Sequence, residues 1–184
     1  MMESKKFLQM QNKKVASSQH LVSRILGIDP GYGRVGIAII EKTNRGENLI
    51  YSECFETEAK LPHSKKLLLI GEKIKKIIQK YKPQKIAVET LLWSKNKKTA
   101  LQVAEARGVI LLEAERSGTI IQEYNPNQIK LAVTGYGKSD KKQVINMVEK
   151  LIKLKPKKRQ DDEYDAIAIA LTCSAIHLST EKLA

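Results

Sequence analysis

The chain has few of the residues that would mark a secreted, membrane-bound or zinc-binding protein. Its 184 residues include only two cysteines, Cys54 and Cys173, which lie far apart and belong to no paired metal-binding motif. This spacing excludes a zinc cluster and a disulfide framework, and it favours reduced thiols in a cytosol. No apolar run approaches the ~20 residues that a membrane-spanning helix needs. We therefore expect neither a membrane anchor nor a secretory signal.

Acidic residues are also scarce relative to basic ones. The 20 Asp and Glu residues stand against 33 Lys and Arg residues, which gives a net charge of +13 and a pI of about 9.7. The excess is concentrated in residues 60–100 (+10) and 130–159 (+8), whereas residues 160–184 carry −4. This pattern indicates phosphate-binding walls around an acidic site and hence a polyanionic partner. For any single lysine, a solvated helix face is the alternative interpretation.

The pattern of apolar residues predicts one mixed α/β domain over residues 25–178. Three apolar segments joined by short polar turns predict an antiparallel meander, and two further strands alternate with helices. The predicted strands are 25–29, 35–40, 48–55, 85–89 and 119–124, and the predicted helices are 64–81, 96–116, 126–133, 140–154 and 161–178. We expect residues 1–24 to form a disordered basic leader and residues 179–184 a tail.

Carboxylates stand at three of the predicted element ends. Asp29 and Glu89 each close an apolar strand, and the segment DDEYD opens the last helix. Asp165 shares a helix face with Asp162 and equally with Asp161, so helix spacing alone does not choose between them. Oxygen-only donors of this kind suit hard cations such as Mg²⁺ or Mn²⁺. The alternative is that these acids only cap a helix or form a turn.

The segment GYGRVG, residues 31–36, matches the dinucleotide-binding pattern GxGxxG. That motif depends on a helix that begins directly after the glycines and points its N-terminus at the pyrophosphate. Here the glycines precede the β-branched run IAII, which predicts a second strand. The sequence therefore disfavours a nucleotide-cofactor site.

Five segments resemble the RuvC family of bacterial Holliday-junction resolvases. They are ILGIDPGYGRVGIAII, IAVET, NKKTALQVAEARGVILL, EYNPNQIKLAVTGYGKSDKKQV and DDEYDAIAIAL, and they occur in the family's order over about residues 25–178. The resemblance implies a ribonuclease-H-like fold, with a mixed sheet of three antiparallel and two further strands flanked by helices. It also implies a cytoplasmic homodimer that works with the RuvA–RuvB branch-migration complex.

The activity that the resemblance implies is metal-dependent resolution of four-way DNA junctions in recombination and repair. Paired symmetric nicks would leave 5′-phosphate and 3′-hydroxyl ends. Two Mg²⁺ ions per subunit, replaceable by Mn²⁺, are implied at the family's acids, which correspond here to Asp29, Glu89, Asp162 and Asp165. This correspondence is the reason to prefer Asp162 over Asp161.

The resemblance also suggests residues that contact DNA. Lys130 and Lys141 match positions that bind the DNA backbone, and Lys138 lies nearby in the loop TGYGKSD that joins their two helices. Many relatives carry an aromatic residue three positions beyond the strand-end glutamate, where this chain has Leu92 followed by Trp93. Trp93 could stack on a base through a one-residue shift, or it could equally be a core or dimer-interface residue.

Two other functions are compatible with a basic protein of this pattern. One is a ribonuclease-H-like nuclease that cuts RNA or hybrid duplexes, and the other is a DNA-binding protein whose acids only cap helices. Cleavage of a four-way junction but not of a hybrid would separate the first from a junction resolvase. Metal-independent binding without products would identify the second.

Overall fold

The computed structural model describes residues 23–91 and 99–181, with side chains through residue 176. This part of the chain contains five strands and five helices. The strands are β1 (Ser23–Asp29), β2 (Arg34–Thr43), β3 (Gly46–Glu56), β4 (Lys85–Glu89) and β5 (Ile120–Tyr124). The helices are α1 (His63–Tyr81), α2 (Ala100–Arg116), α3 (Pro126–Thr134), α4 (Lys141–Leu151) and α5 (Asp161–Glu181).

The five strands form one mixed sheet in the order β3-β2-β1-β4-β5. β1, β2 and β3 pair antiparallel, as the meander predicts, whereas β4 lies parallel to both β1 and β5. Parallel neighbours have their carboxyl ends at the same edge of a sheet. The pairing of β1 with β4 therefore brings the two strand-end acids to one edge.

Helices cover both faces of the sheet. On one face α1 and α2 contribute Ile70, Ile74 and Ile110 to an apolar core, and on the other α3, α4 and α5 contribute residues such as Val148 and Ile167. Because β1 and β2 are buried on both sides, their sequences are continuous apolar runs rather than alternating ones. The central strands are therefore held rigidly, and so are the residues at their ends.

Two helix boundaries follow from local chemistry. α4 begins after Asp140, whose side chain accepts a hydrogen bond from the backbone of Gln143 while the Gln143 side chain caps in return. Residues 140–154 are predicted to be helical, but α4 ends at Leu151. The reason is that Ile152 is extended and Lys153 forms a β-bridge with Asn48.

The strand predicted after GYGRVG is confirmed, since β2 begins at Arg34.

Glycines in β1 and β2 allow α5 to lie directly on the sheet. A Cβ atom on Gly27 would overlap the carbonyl oxygen of Ala166 and lie 2.8 Å from the backbone nitrogen of Ala170. A Cβ atom on Gly36 would overlap the carbonyl oxygen of Asp162 and lie 2.8 Å from its carbonyl carbon. No side chain larger than hydrogen fits at either position, so these glycines set the depth at which α5 sits.

Both cysteines lie within the described residues. Cys54 and Cys173 are both free, the first half-buried and the second buried. Across the described segments of the chain, no helix combines the length and apolarity needed to cross a membrane.

Candidate active site

Four carboxylates from three elements meet at the carboxyl edge of β1 and β4. In the parallel register Ile28 pairs with Val88, so Asp29 and Glu89 follow side by side, and a hydrogen bond links their side chains. On the other flank Asp29 pairs with Gly36, over which the first turn of α5 lies. This turn brings Asp162 and Asp165 within electrostatic reach of Asp29. We call these four residues the acid cluster.

Burial and the charges of neighbouring carboxylates raise the pKa values of Asp29, Glu89 and Asp165. The pKa of Asp29 lies well above its ordinary value, first because the group is buried and then because Glu89 and Asp165 carry like charge. Burial and the charge of Asp165 raise the pKa of Glu89 to about 7. Burial also raises the pKa of Asp165, although Lys141 opposes the shift. A site that concentrates buried negative charge in this way favours a cation as its ligand.

Basic side chains border the acid cluster. The Nζ atom of Lys141, at the start of α4, lies 2.9 Å from Asp165 Oδ2, and the Nε atom of Arg34 lies 3.5 Å from Asp162 Oδ2. Lys130, on α3, lowers the pKa of Glu89 through its charge. Lys138 is exposed in the loop between α3 and α4. Thus Lys130 and Lys141 lie at the acids, whereas no contact joins Lys138 to them among the described residues.

Asp161 and Asp162 occupy different environments. The side chain of Asp161 is 65% exposed and its carboxylate lies 3.4 Å from Lys141 Nζ, on the outer side of the helix. The side chain of Asp162 is 18% exposed, and its charge acts directly on Asp29. Packing against Gly36, which helix spacing does not encode, thus places Asp162 near Asp29 and leaves Asp161 exposed.

The donor chemistry of the acid cluster fits divalent cations. All its donors are carboxylate oxygens, the ligands that Mg²⁺ and Mn²⁺ prefer. One of them, Asp162 Oδ2, is buried and makes no hydrogen bond. Among the described residues, however, no three His, Cys, Asp or Glu side chains lie close enough together to hold a metal ion by themselves. Water or phosphate oxygens would therefore complete the coordination, as is usual for Mg²⁺.

A cavity of about 230 Å³ opens beside Glu89 and Asp165. Lys130 and Lys141 stand at its charged wall, and Ile129 and Val144 are among its apolar lining residues. Glu89 and Asp165 thus line a cleft that is basic on the side of α3 and α4.

Arg107 supports the acid cluster from behind. Its Nε atom donates a 3.1 Å hydrogen bond to the backbone oxygen of Glu89, and its guanidinium also pairs with Glu123 on β5. The sequence leaves open whether Arg107 bridges its helix to the site, and the contacts show that it does.

Leu92 and Trp93, at the predicted stacking position, lie outside the described residues.

Sequence patterns did not single out three residues next to the site. Arg34 forms an ion pair with Asp162, and Cys54 lies near the same carboxylate. Glu163 is buried within the first turn of α5. Burial, together with Asp162, raises the pKa of the Cys54 thiol to about 12, so the thiol stays protonated. The one signal in the sequence was that Arg34 directly follows the turn after Asp29.

A five-stranded mixed sheet with acids on β1, β4 and the helix that crosses them defines the class of ribonuclease-H-like nuclease folds. Structures of Thermus thermophilus RuvC share this fold. One aligns with a TM-score of 0.79 and 27% identity over 85% of this chain and 96% of that chain. A second, described as RuvC in complex with Holliday junction substrate, aligns with a TM-score of 0.79 and 28% identity over 86% and 96%.

The sequence comparisons narrow this class to one family. The model of the family described as "Crossover junction endodeoxyribonuclease RuvC" matches residues 25–173. A relative of that name from Petrotoga mobilis is 47% identical over 146 residues, which span 79% of this chain and 90% of the relative. Another from Brevibacillus brevis is 42% identical over 149 residues. The chain belongs to the RuvC family, as its motifs predicted.

Proposed function

We propose that the chain is an endonuclease that resolves four-way Holliday junctions in homologous recombination and DNA repair. The observation that carries this function is the meeting of Asp29, Glu89, Asp162 and Asp165 at one sheet edge beside a basic wall. Membership of the RuvC family supports a junction as the substrate rather than RNA or a hybrid duplex. A protein that only bound DNA would have no use for four clustered, partly buried carboxylates.

The acid cluster would hold two Mg²⁺ ions per subunit, with Mn²⁺ able to substitute. When bound, such ions supply an activated water and charge stabilisation for in-line hydrolysis of a phosphodiester. Asp29 lies beside Glu89 at the sheet edge, and Asp162 and Asp165 approach it from α5, so carboxylates from both the sheet and the helix would hold the ions. The attacking water oxygen forms a bond to phosphorus while the bond to the 3′ oxygen breaks, and that oxygen takes up a proton. The products are a 5′-phosphate and a 3′-hydroxyl.

The lysines of α3 and α4 would position the DNA backbone. Lys130 and Lys141 face the acids across the cleft, where a phosphate could replace a carboxylate as their partner. Lys138 extends the same basic wall outward. Their role is to fix the scissile phosphate over the acids, which a reaction without a covalent nucleophile requires.

Symmetric nicking requires two active sites, and we propose a homodimer. α2 exposes Leu101 and Leu112, and between them Gly108 leaves open space for a close neighbour. These features make the outer face of α2 a reasonable place for the second copy. We further propose a bacterial cytoplasmic enzyme that cooperates with a RuvA–RuvB branch-migration complex, with residues 25–178 as its nuclease domain.

The function is tested with a synthetic four-way junction, a linear duplex and an RNA–DNA hybrid of matched length. We expect paired nicks in the junction with Mg²⁺ and none with EDTA, and no cleavage of the other two substrates. Cleavage of the hybrid at a comparable rate would instead assign a hybrid nuclease. Tight junction binding without products in Mg²⁺ or Mn²⁺ would assign a binding protein.

Affinity for Mg²⁺ should rise with pH. Asp29 and Glu89 must lose bound protons before they can coordinate a cation, and the pKa of Glu89 is about 7. Between pH 6 and pH 7 the deprotonation of Glu89 alone should raise the apparent affinity by about fivefold, and this contribution should level off above pH 8. Isothermal titration of Mg²⁺ without DNA measures this, with Glu89→Gln as the variant in which the dependence weakens. An affinity that is constant from pH 6 to pH 8 would contradict the prediction.

A further inference from the structure

The loop between α4 and α5 concentrates positive charge. Residues 155–160 read KPKKRQ and contain four cations and no acid. Lys155 and Lys158 are exposed, and neither side chain forms a hydrogen bond or ion pair with another residue in the described part of the chain. Neighbouring like charges repel each other, so the fold gains nothing from holding them together.

One cation of this loop is instead turned inward. The Nζ atom of Lys157 donates a 2.8 Å hydrogen bond to Glu163 Oε2 and a 3.2 Å hydrogen bond to the backbone oxygen of Ser52 on β3. The Ser52 hydroxyl donates to the same Glu163 oxygen at 2.8 Å. The Glu163 side chain is only 5% exposed. Lys157, Glu163 and Ser52 therefore form a half-buried anchor, in which a serine supports the ion pair.

The anchor attaches the loop to two other elements of the fold. It joins the loop to β3 and to the first turn of α5 at the same point. Within the loop, the Nη1 atom of Arg159 donates a 3.1 Å hydrogen bond to the backbone oxygen of Lys155. The exposed lysines are thus presented from a braced segment, which lowers the entropy that a ligand would have to remove.

The position of the loop relates it to the acid cluster. Glu163 directly follows Asp162, and the anchor holds the loop at β3, the edge strand of the sheet. Lys130 belongs to α3, which follows β5 at the opposite edge, and Lys141 begins α4. In the sheet order, the acids on β1 and β4 lie between these two basic elements.

We propose that the loop of residues 155–160 is a second DNA-backbone contact, in which Lys155 and Lys158 bind phosphates on the β3 side of the acid cluster. The anchor of Lys157, Glu163 and Ser52 holds the loop in place for this contact. The inference rests on the proposed junction-cleaving function and adds a second wall to the one that α3 and α4 form. The partner is the sugar–phosphate backbone of a junction arm, bound without base readout.

The test compares two double variants that remove the same charge from different faces. The double variant Lys155→Gln, Lys158→Gln should bind the junction with a salt dependence that is less steep by about two units of log affinity per unit of log salt. Its affinity should also be about tenfold weaker at moderate salt. Lys75→Gln with Lys76→Gln removes two exposed lysines from α1, on the other face of the sheet, and should leave the slope unchanged. Fluorescence anisotropy with a labelled junction, in Ca²⁺ to prevent cleavage, measures both.

The outcomes separate this inference from the function on which it rests. If the unmodified chain neither binds nor cuts a junction, the proposed function fails. If it binds and cuts, but the two double variants have equal salt slopes, the function stands and the second contact is wrong. A lower slope in the loop variant alone, with an unchanged melting temperature, supports the contact.

Discussion

Asp29→Asn should lower the rate of junction cleavage by about a thousandfold or more. The substitution keeps the size of the side chain but removes the central charge of the acid cluster, which is worth several kcal/mol of transition-state stabilisation in sites of this kind. Junction binding should change by less than about threefold, because phosphate contacts come from basic residues. Single-turnover cleavage and anisotropy measure the two effects separately.

Asp161→Asn is the matched control within the same segment. Its carboxylate is 65% exposed and pairs only with Lys141 among the described residues, so the cleavage rate should fall by no more than about threefold. A cleavage rate for Asp29→Asn within tenfold of the unmodified chain would remove Asp29 from the site. An equally large loss in Asp161→Asn would mean that Asp161 is a ligand as well.

Asp29→Asn should also stabilise the metal-free protein. Burial and neighbouring carboxylates raise the pKa of Asp29 in the folded state, so its charged form is penalised there. This penalty is absent below the unfolded-state pKa, and it grows as the pH rises towards the folded-state pKa. In EDTA, Asp29→Asn should therefore melt higher than the unmodified chain at pH 8, and the difference should shrink towards pH 4. Thermal melts at both pH values measure it.

Gly36→Ala should destabilise the fold by about 3 kcal/mol and also impair cleavage. The added methyl group would overlap the Asp162 backbone, and backbone cannot move aside as the end of a flexible side chain can. α5 would have to lift from the sheet and carry Asp162 and Asp165 with it. The melting temperature should fall by about 10 °C. A displacement of about 1 Å at the acids costs about a hundredfold in rate.

Gly33→Ala is the control for Gly36→Ala. Both glycines belong to the segment GYGRVG, but a Cβ atom on Gly33 would have no neighbour within 4 Å, and its backbone is not left-handed. Its stability should change by less than about 0.5 kcal/mol. Equal melting temperatures for the two variants would show that α5 is not seated on Gly36 in solution.

The elements of the fold were predictable because each satisfies a local rule. The central strands are buried on both faces and so read as apolar runs, and α1 shows its buried isoleucines at helical spacing. Asp29 and Glu89 were recognisable because each ends such a strand. The resemblance to the RuvC family supplied what these rules leave open, namely the choice of Asp162 and the role of the lysines.

Contacts between distant segments were not predictable from the sequence. Gly36 looks like a nucleotide-binding glycine and Gly27 like an ordinary strand residue, although both admit a helix that begins over 120 residues later. Lys157 and Glu163 look like ordinary solvated charges, and only the fold places Ser52 beside them. In both cases the partner is remote in the chain, so no local pattern records it.

The acid cluster draws its members from both ends of the described chain. Asp29 lies on the first strand and Asp165 on the last helix, with Glu89 between them. During synthesis, the ribosome releases the segment with Asp29 and Glu89 long before the segment with Asp162 and Asp165. A nascent or prematurely terminated chain therefore carries only half of the acid cluster. We expect junction cleavage only from chains whose translation has reached α5.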